Sequence, residues 1–378
     1  MSERLYEKDA YISSFDARVV SCEAADGAYE VILDKTAFFP EGGGQPGDTG
    51  TIGTAAVTDT VEKNGEAVHI CTSPVKESES LPCKLDFERR FLHMQQHTGE
   101  HIFSGILHSV CGYDNVGFHM GSRFVTVDFN GAVTPAELLR VETLANEAIY
   151  KNLPVQELLP SPQELESLNY RFKKEISGQI RLIKIEGCDL CACCGTHTAR
   201  TGEVGLIKAV GMINYKSGVR ITLQIGRRAL WDYREKNDSV YAVSQLLSAK
   251  PEEIAVSVEH LIEQQSSLKA ENAALRSRLL GYIAREAPQD KNFFFEESLG
   301  ANEIRELCDA LADTREFAAV FSGGDGEGYK FALASRNADI REKCRALCDA
   351  CQGRGGGKPG FVQGTLNSTQ KEIEEFFN

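Results

Sequence analysis

Over residues 1–90 hydrophobic and polar positions alternate with a period of two, the pattern of half-buried strands. Residues 17–22 and 29–33 are two such runs, joined by a turn signal at Asp26-Gly27, and 55–61 and 67–72 are two more. The period then changes. Residues 87–107 read as a helix, with Phe91, Phe103, Ile106 and Leu107 supplying its buried face and a histidine pair on its first turns. Strands resume at 117–121 and 124–128. Thr134 followed by Pro135 opens an amphipathic helix over 135–151, and Ser161-Pro162 opens another, because a capping hydroxyl with proline at the next position marks a helix start. Residues 179–185, 204–210 and 218–223 read as strands, and 228–235 begins a long helix.

From residue 254 the apolar positions fall on a heptad frame, with Val258 and Leu279 at a and Leu261, Leu268 and Leu275 at d. Gln265 and Asn272 take the other a positions, where a polar residue sets register and partner number in a coiled coil. The expectation is a coiled coil, within the chain or between two chains, against the alternative of a helix packed on its own domain. Residues 287–378 read as a small α/β unit: strands at 293–295 and 318–322, helices at 301–312 and 341–351, and a glycine-rich loop at 353–360 that carries Arg354 and Lys358 and suits an anion or nucleic acid. The expected domains are 1–90, 91–240, the coiled helix 241–286, and 287–378.

Composition narrows the class. A chain of 378 residues, 42% hydrophobic and 25% charged, is that of a soluble globular protein. The polar N-terminus and the lack of a long apolar run point to a cytoplasmic protein. Twelve cysteines then argue for buried thiols or metal ligands rather than a disulfide framework. Cys188-x-x-Cys191 allows a redox pair or a second metal clip. A net charge of −14 argues against broad nucleic-acid binding but leaves room for one RNA partner met by local basic patches, at 171–174, at Arg227-Arg228 and at 354–358.

The chemistry concentrates in two segments. His97 and His101 are four residues apart, one helical turn on one face, and so are Cys193 and His197. Three imidazoles and a thiolate form a donor set that suits tetrahedral Zn²⁺, so the four are expected to hold one zinc ion. His97-Thr98-Gly99-Glu100-His101 also fits the H-x-x-E-H pattern of inverzincin metallopeptidases, with Glu100 as general base and a downstream carboxylate as third ligand. That reading leaves Cys193, His197 and the loop of Gly42, Gly43, Gly44, Gln45, Pro46 and Gly47 without a role. Three consecutive glycines let a backbone approach a ligand or a phosphate closely.

The stretch at 38–48, the His-x-x-x-His at 97–101 and Cys193-Cys194-Gly195-Thr196-His197 occur in this order in the editing half of alanyl-tRNA synthetases and in the free-standing AlaX editing proteins. The chain resembles the long AlaX form over nearly its whole length, and its C-terminal part resembles the DHH-associated domain. The resemblance implies an α+β fold: an N-terminal β-barrel-like domain, an α+β zinc editing domain, a long coiled helix and a small C-terminal α/β domain. It implies hydrolysis of Ser-tRNA(Ala), with Gly-tRNA(Ala) as an alternative substrate, at a zinc site of His97, His101, Cys193 and His197. It places Gly42 to Gln45 against the acceptor end of tRNA(Ala), and makes Thr36 a candidate to offer its hydroxyl to the seryl group. A homodimer through the coiled helix or C-terminal domain and a non-catalytic, zinc-stabilised tRNA-binding protein are further expectations to weigh. Two departures stand out. Cys194 replaces the glycine of the usual Cys-Gly-Gly-Thr-His, and position 100 is Glu where relatives often carry Gln, so the general base stays open.

Overall fold

The computed structural model describes residues 2–172 and 180–378, in two compact units divided between Ala242 and Val243. Lys173 and Lys174 of one basic patch, and Gln179 at the start of an expected strand, lie outside the described residues.

In the first unit the alternating segments become six antiparallel strands: β1 (Ser14–Ala25), β2 (Ala28–Leu33), β3 (Gly50–Ile52), β4 (Ala55–Lys63), β5 (Glu66–Cys71) and β6 (Ser80–Leu85). They pair in the cyclic order β1-β2-β5-β4-β3-β6, with β6 returning to β1, so the sheet closes into a barrel. Asp26 and Gly27 both take positive φ in the hairpin turn, as a two-residue turn that follows the strand twist requires. Val19, Val31, Leu33, Phe38, Ile52 and Val57 fill the interior.

Next comes α1 (Phe87–Cys111), capped at its start by the Asp86 side chain and ended by Gly112 in the left-handed conformation. The sequence suggests one buried face, but every residue from 93 to 107 is buried, polar ones included, while Phe91 is only partly so. The helix is enclosed. Its inner end packs with α2 (Pro135–Tyr150) on a four-stranded antiparallel sheet whose order is β11 (Ile207–Tyr215), β12 (Gly218–Ile225), β8 (Val125–Phe129), β7 (Asn115–Met120). A short strand (Val155–Leu158) pairs with β9 (Leu182–Ile185), which pairs with β10 (Asp189–Ala192), the strand that delivers the cysteine cluster. The Thr134 and Ser161 caps form full capping boxes with Glu137 and Glu164. The unit ends in α3 (Arg227–Leu247).

The second unit holds a 33-residue helix, α4 (Ile254–Glu286), and a five-stranded sheet. Only the last turns of α4 pack on their own unit, through Leu280, Ile283 and Ala284. Val258, Leu261, Leu268, Leu275 and Leu279 stay exposed, so an intradomain core does not account for the heptad positions. Alternate residues of the strand Ala318–Gly324 feed two separate cores, Ala318 and Val320 on one face, Ala319 and Phe321 on the other. The glycine-rich stretch expected as a loop is instead an edge strand, Arg354–Lys358, paired with Phe361–Leu366. Its glycines serve close packing: a Cβ at Gly355 would lie 2.8 Å from the Phe331 ring. Arg354 and Lys358 share the opposite face, exposed. Among the described residues no helix is long and apolar enough to cross a membrane, and all twelve cysteines are free thiols.

One buried ion pair joins the barrel to α1. Arg90 donates from Nε and Nη2 to Asp48, and to the carbonyls of Ala10 and Ala37, with neither charged side chain exposed. Removing one partner leaves the other charge buried and uncompensated, so Arg90→Met is expected to lower stability by about 3–5 kcal/mol in urea denaturation; a loss below about 1 kcal/mol, the range of surface pairs, would contradict this.

Candidate metal centre

The histidine pair lies near the middle of α1, not in its first turns: His97 is the eleventh of its 25 residues. The correction matters, because burial on all sides leaves no solvent for the imidazoles. The ligand atoms of His97, His101, Cys193 and His197 all lie within 4.8 Å of one another. Tetrahedral bonds of 2.0–2.3 Å give ligand–ligand edges of about 3.3–3.8 Å, and Cys193 Sγ stands 3.4 Å from His97 Nε2.

Each imidazole is fixed from behind. His97 Nδ1 pairs with Gln45 Oε1 at 2.9 Å, His101 Nδ1 with Asp189 Oδ2 at 2.8 Å, and His197 Nδ1 with Thr98 Oγ1 at 3.5 Å. This leaves the Nε2 atoms facing inward, and those of His101 and His197 are buried without a hydrogen-bond partner. Orphaned buried nitrogens are costly. Three inward nitrogens beside a sulfur, each ring held by an acceptor on its far nitrogen, fit a metal ion.

The charges agree with this. Burial opposes ionisation of Cys193, but the imidazoles around it outweigh burial and hold the thiol well below its usual range. Burial also opposes protonation of His101, yet its bond to Asp189 and the nearby sulfur push it up to about 9. Burial drives His197 down to about 3. Asp189 is itself held below the carboxylate range despite burial, by His101 and by Arg171, which donates from Nε and Nη2 at 2.7 and 2.8 Å. His101, Asp189 and Cys191 form a second close group. Asp189 meets His101 on the nitrogen turned away from the cluster, so it orients that ligand.

The turn at 42–45 is tighter than a ligand loop. Gly43 and Gly44 take positive φ between paired backbone groups of Gly42 and Gln45, and a Cβ on Gly44 would sit 2.6 Å from the Phe118 ring. Gln45 is fully buried. Its oxygen serves His97 and the Thr196 amide, and its nitrogen donates to Thr196 Oγ1, so its side chain braces the metal segments. Thr36 is also committed: its hydroxyl pairs with His69 Nε2 at 2.8 Å and accepts from the Phe38 amide, inside the barrel. Glu100 is fully buried, accepting from Ser104 Oγ and Asn115 Nδ2. Arg354 and Lys358 belong to the second unit. Gly195 is required, since a Cβ there would lie 2.2 Å from His97 Cε1, whereas Cys194 is exposed, so an extra thiol costs nothing in packing.

Sequence reasoning missed Asp189 and Phe118, whose ring stacks on His97 at 5.2 Å, and placed Arg171 in a basic patch for RNA, whereas its guanidinium is engaged by Asp189. A carboxylate behind a ligating histidine is a general expectation, but 55 acidic residues gave no means of choosing.

With Cys193 already ionised and His101 protonated at neutral pH, an incoming ion must displace the His101 proton. Binding should therefore release close to one proton at about pH 7.5 and tighten as pH rises toward the His101 value, measured by calorimetry in buffers of different ionisation heat. Asp189→Asn should release less and bind about 10–100-fold more weakly. Equal release and affinity in the two proteins would contradict the arrangement.

Residues 180–228 match the family described as the threonyl and alanyl tRNA synthetase second additional domain, 8–89 match class II (A) tRNA synthetases, and 290–378 match the DHHA1 domain. The chain is 30% identical to the alanyl-tRNA editing protein Aarsd1 of Danio rerio, over 97% of its own length and 95% of that protein. It is 29% identical to the alanyl-tRNA editing protein AlaX-L of Pyrococcus horikoshii, over 99% and 96%. It is also 29% identical to the alanine–tRNA ligase of Ignicoccus hospitalis, there covering 42% of the larger protein. With such likeness along both chains, this protein belongs to the alanyl-tRNA editing proteins.

Proposed function

We propose that this protein is a zinc-dependent trans-editing hydrolase that deacylates mischarged Ser-tRNA(Ala) in the cytoplasm. Membership of the editing family makes it an aminoacyl-tRNA hydrolase with tRNA(Ala) as its partner. The observation that carries the finer reading is the convergence of three inward Nε2 atoms and one sulfur in a buried pocket of the chain's own making.

His97, His101, Cys193 and His197 would hold the ion. Zinc in such a site supplies a Lewis acid for the ester carbonyl or an anchor for the amino group of the seryl moiety. The chain does the rest. Gln45, Asp189 and Thr98 keep the three rings in the tautomer that turns Nε2 inward. The Gly195 amide, 3.4 Å from Cys193 Sγ, supports the thiolate. Of the four ligands only Cys193 is more than marginally exposed, so substrate enters on its side, beside Cys194 and the Gly43 turn. Glu100 is the buried carboxylate of the ligand helix; Glu88, in its first turn, is exposed. The bonds of Glu100 to Ser104 and Asn115 favour a role in steadying α1 beside His101 over that of a base in contact with water.

The peptidase reading requires a carboxylate third ligand facing the pair of histidines. Cys193 and His197 occupy that place, which favours ester hydrolysis on tRNA. A homodimer through the exposed a and d residues of α4 belongs to the same reading. Sedimentation of the full chain as a monomer at micromolar concentration would remove that part of it.

Purified protein is expected to deacylate Ser-tRNA(Ala) and spare Ala-tRNA(Ala). His97→Ala or chelation should lower the rate by about 100-fold or more, the scale of removing a principal electrostatic element. Ser-tRNA(Thr), run beside it, reports the tRNA preference. Full activity after both treatments would take zinc out of the mechanism, and tRNA binding without turnover would leave a purely structural ion.

A further inference from the structure

A cleft of about 210 Å³ is lined by Ser122, Arg123, Gln224, Arg228 and Trp231, with Asp232 and Glu235 at its edge. It lies close to the ligands along the chain. Arg228 Nη1 donates at 2.7 Å to the Gly121 carbonyl, just past β7, whose Phe118 stacks on His97. Residues 118 and 122 are at most about 13 Å apart along extended backbone.

Three features of the lining are unexplained by the fold. First, Arg228 is half-buried, and among the described residues no carboxylate pairs with it or with Arg89 across from it on α1. Burial, and the like charge of Arg89, disfavour the Arg228 cation. A half-buried guanidinium without a carboxylate partner and beside a like charge is a place where an anion would be stabilised. Arg228 is also the second residue of α3, where the helix dipole favours negative charge. Second, Gln224 is 4% exposed and its Oε1 has no hydrogen-bond partner. Third, Trp231 is 46% exposed and is the only tryptophan of the chain. The acidic groups of the lining are already engaged, Asp232 by Lys236 and Glu235 by Arg123, in surface pairs that exchange at little cost.

We infer that this cleft is a nucleotide subsite for the single-stranded 3′ end of the RNA substrate, in which Arg228 and Arg123 hold a phosphate, Trp231 stacks on a base and Gln224 hydrogen-bonds the base edge. An aromatic face, a planar cation and an amide are the groups that read an unstacked base. The cleft is below the ~300–1,000 Å³ of a drug-sized pocket, so it would take one base with its phosphate at most. The ester at the metal lies on the terminal nucleotide, so the occupant is a nucleotide upstream of it. The identity of the strand rests on the deacylase reading; the binding chemistry does not.

The single tryptophan makes the test direct. The full chain is titrated with a short single-stranded RNA ending in CCA, and with a duplex of the same length, while Trp231 fluorescence is followed. The single strand should quench it saturably and the duplex should not. Arg228→Gln should weaken the single strand about tenfold and flatten the dependence of log K on log salt by about 0.7, the slope carried by one neutralised phosphate. Arg123→Gln, at the surface, should act in the same direction and serves if Arg228→Gln folds poorly. Absence of quenching, or unchanged affinity and salt slope in both variants, overturns the subsite even if Ser-tRNA(Ala) is deacylated. Quenching that responds to the variants upholds it even if no ester is hydrolysed, in which case only the deacylase reading falls.

Discussion

The first unit is organised around a cluster of side chains whose donor atoms converge as a cation site would require. Four ionisable side chains are gathered beside the enclosed middle of α1, the three imidazoles buried and Cys193 partly exposed, and two of the inward nitrogens have no partner. Burial of unpaired polar groups costs several kcal/mol in general. Across the cluster only the Cys193 sulfur is within hydrogen-bond reach of an imidazole, that of His97 at 3.4 Å. The chain directs its available acceptors to the outer nitrogens, through Gln45, Asp189 and Thr98. Arg171 in turn neutralises Asp189. Such an arrangement orients donors toward a point where positive charge is expected.

The same contacts tie the barrel to the helical layer. Gln45 belongs to the turn that follows the barrel's second strand, yet its amide is shared between His97 on α1 and Thr196 beside His197. Tyr11, before the barrel, accepts from the Ala199 amide and donates to Glu203. Arg90 carries the third link. The metal-bearing segments are thus held by residues from the whole first unit, and the fold itself, more than any local loop, sets the ligand geometry.

Much of this was legible in the chain. The i, i+4 spacing of His97 with His101 identified half of the cluster, because a helix places such a pair on one face whatever surrounds it; Cys193 and His197 have the same spacing but lie in irregular chain after β10, so the helical argument does not reach them and the motif alone pointed to them. The period-two runs gave the strands, and the Thr134 and Ser161 caps gave helix starts. What stayed hidden is side-chain direction. Nothing in the stretch 41–47 says that Gln45 turns inward to His97, or that Gly44 is glycine because Phe118 lies against it. Thr36 carries a free-looking hydroxyl until His69 is brought across the barrel. The 353–360 stretch reads as a loop because three glycines have weak strand preference, and only the cross-strand position of Phe331 shows why bare backbone is needed there.

The central claim is that His97, His101, Cys193 and His197 bind one ion together. X-ray absorption at the zinc edge of the zinc-loaded full chain tests it most directly. The account predicts a first shell of three nitrogens at about 2.0–2.1 Å and one sulfur at about 2.3 Å, with the sulfur contribution lost in Cys193→Ser. A shell without sulfur in the parent protein, or one unchanged by that substitution, would contradict it.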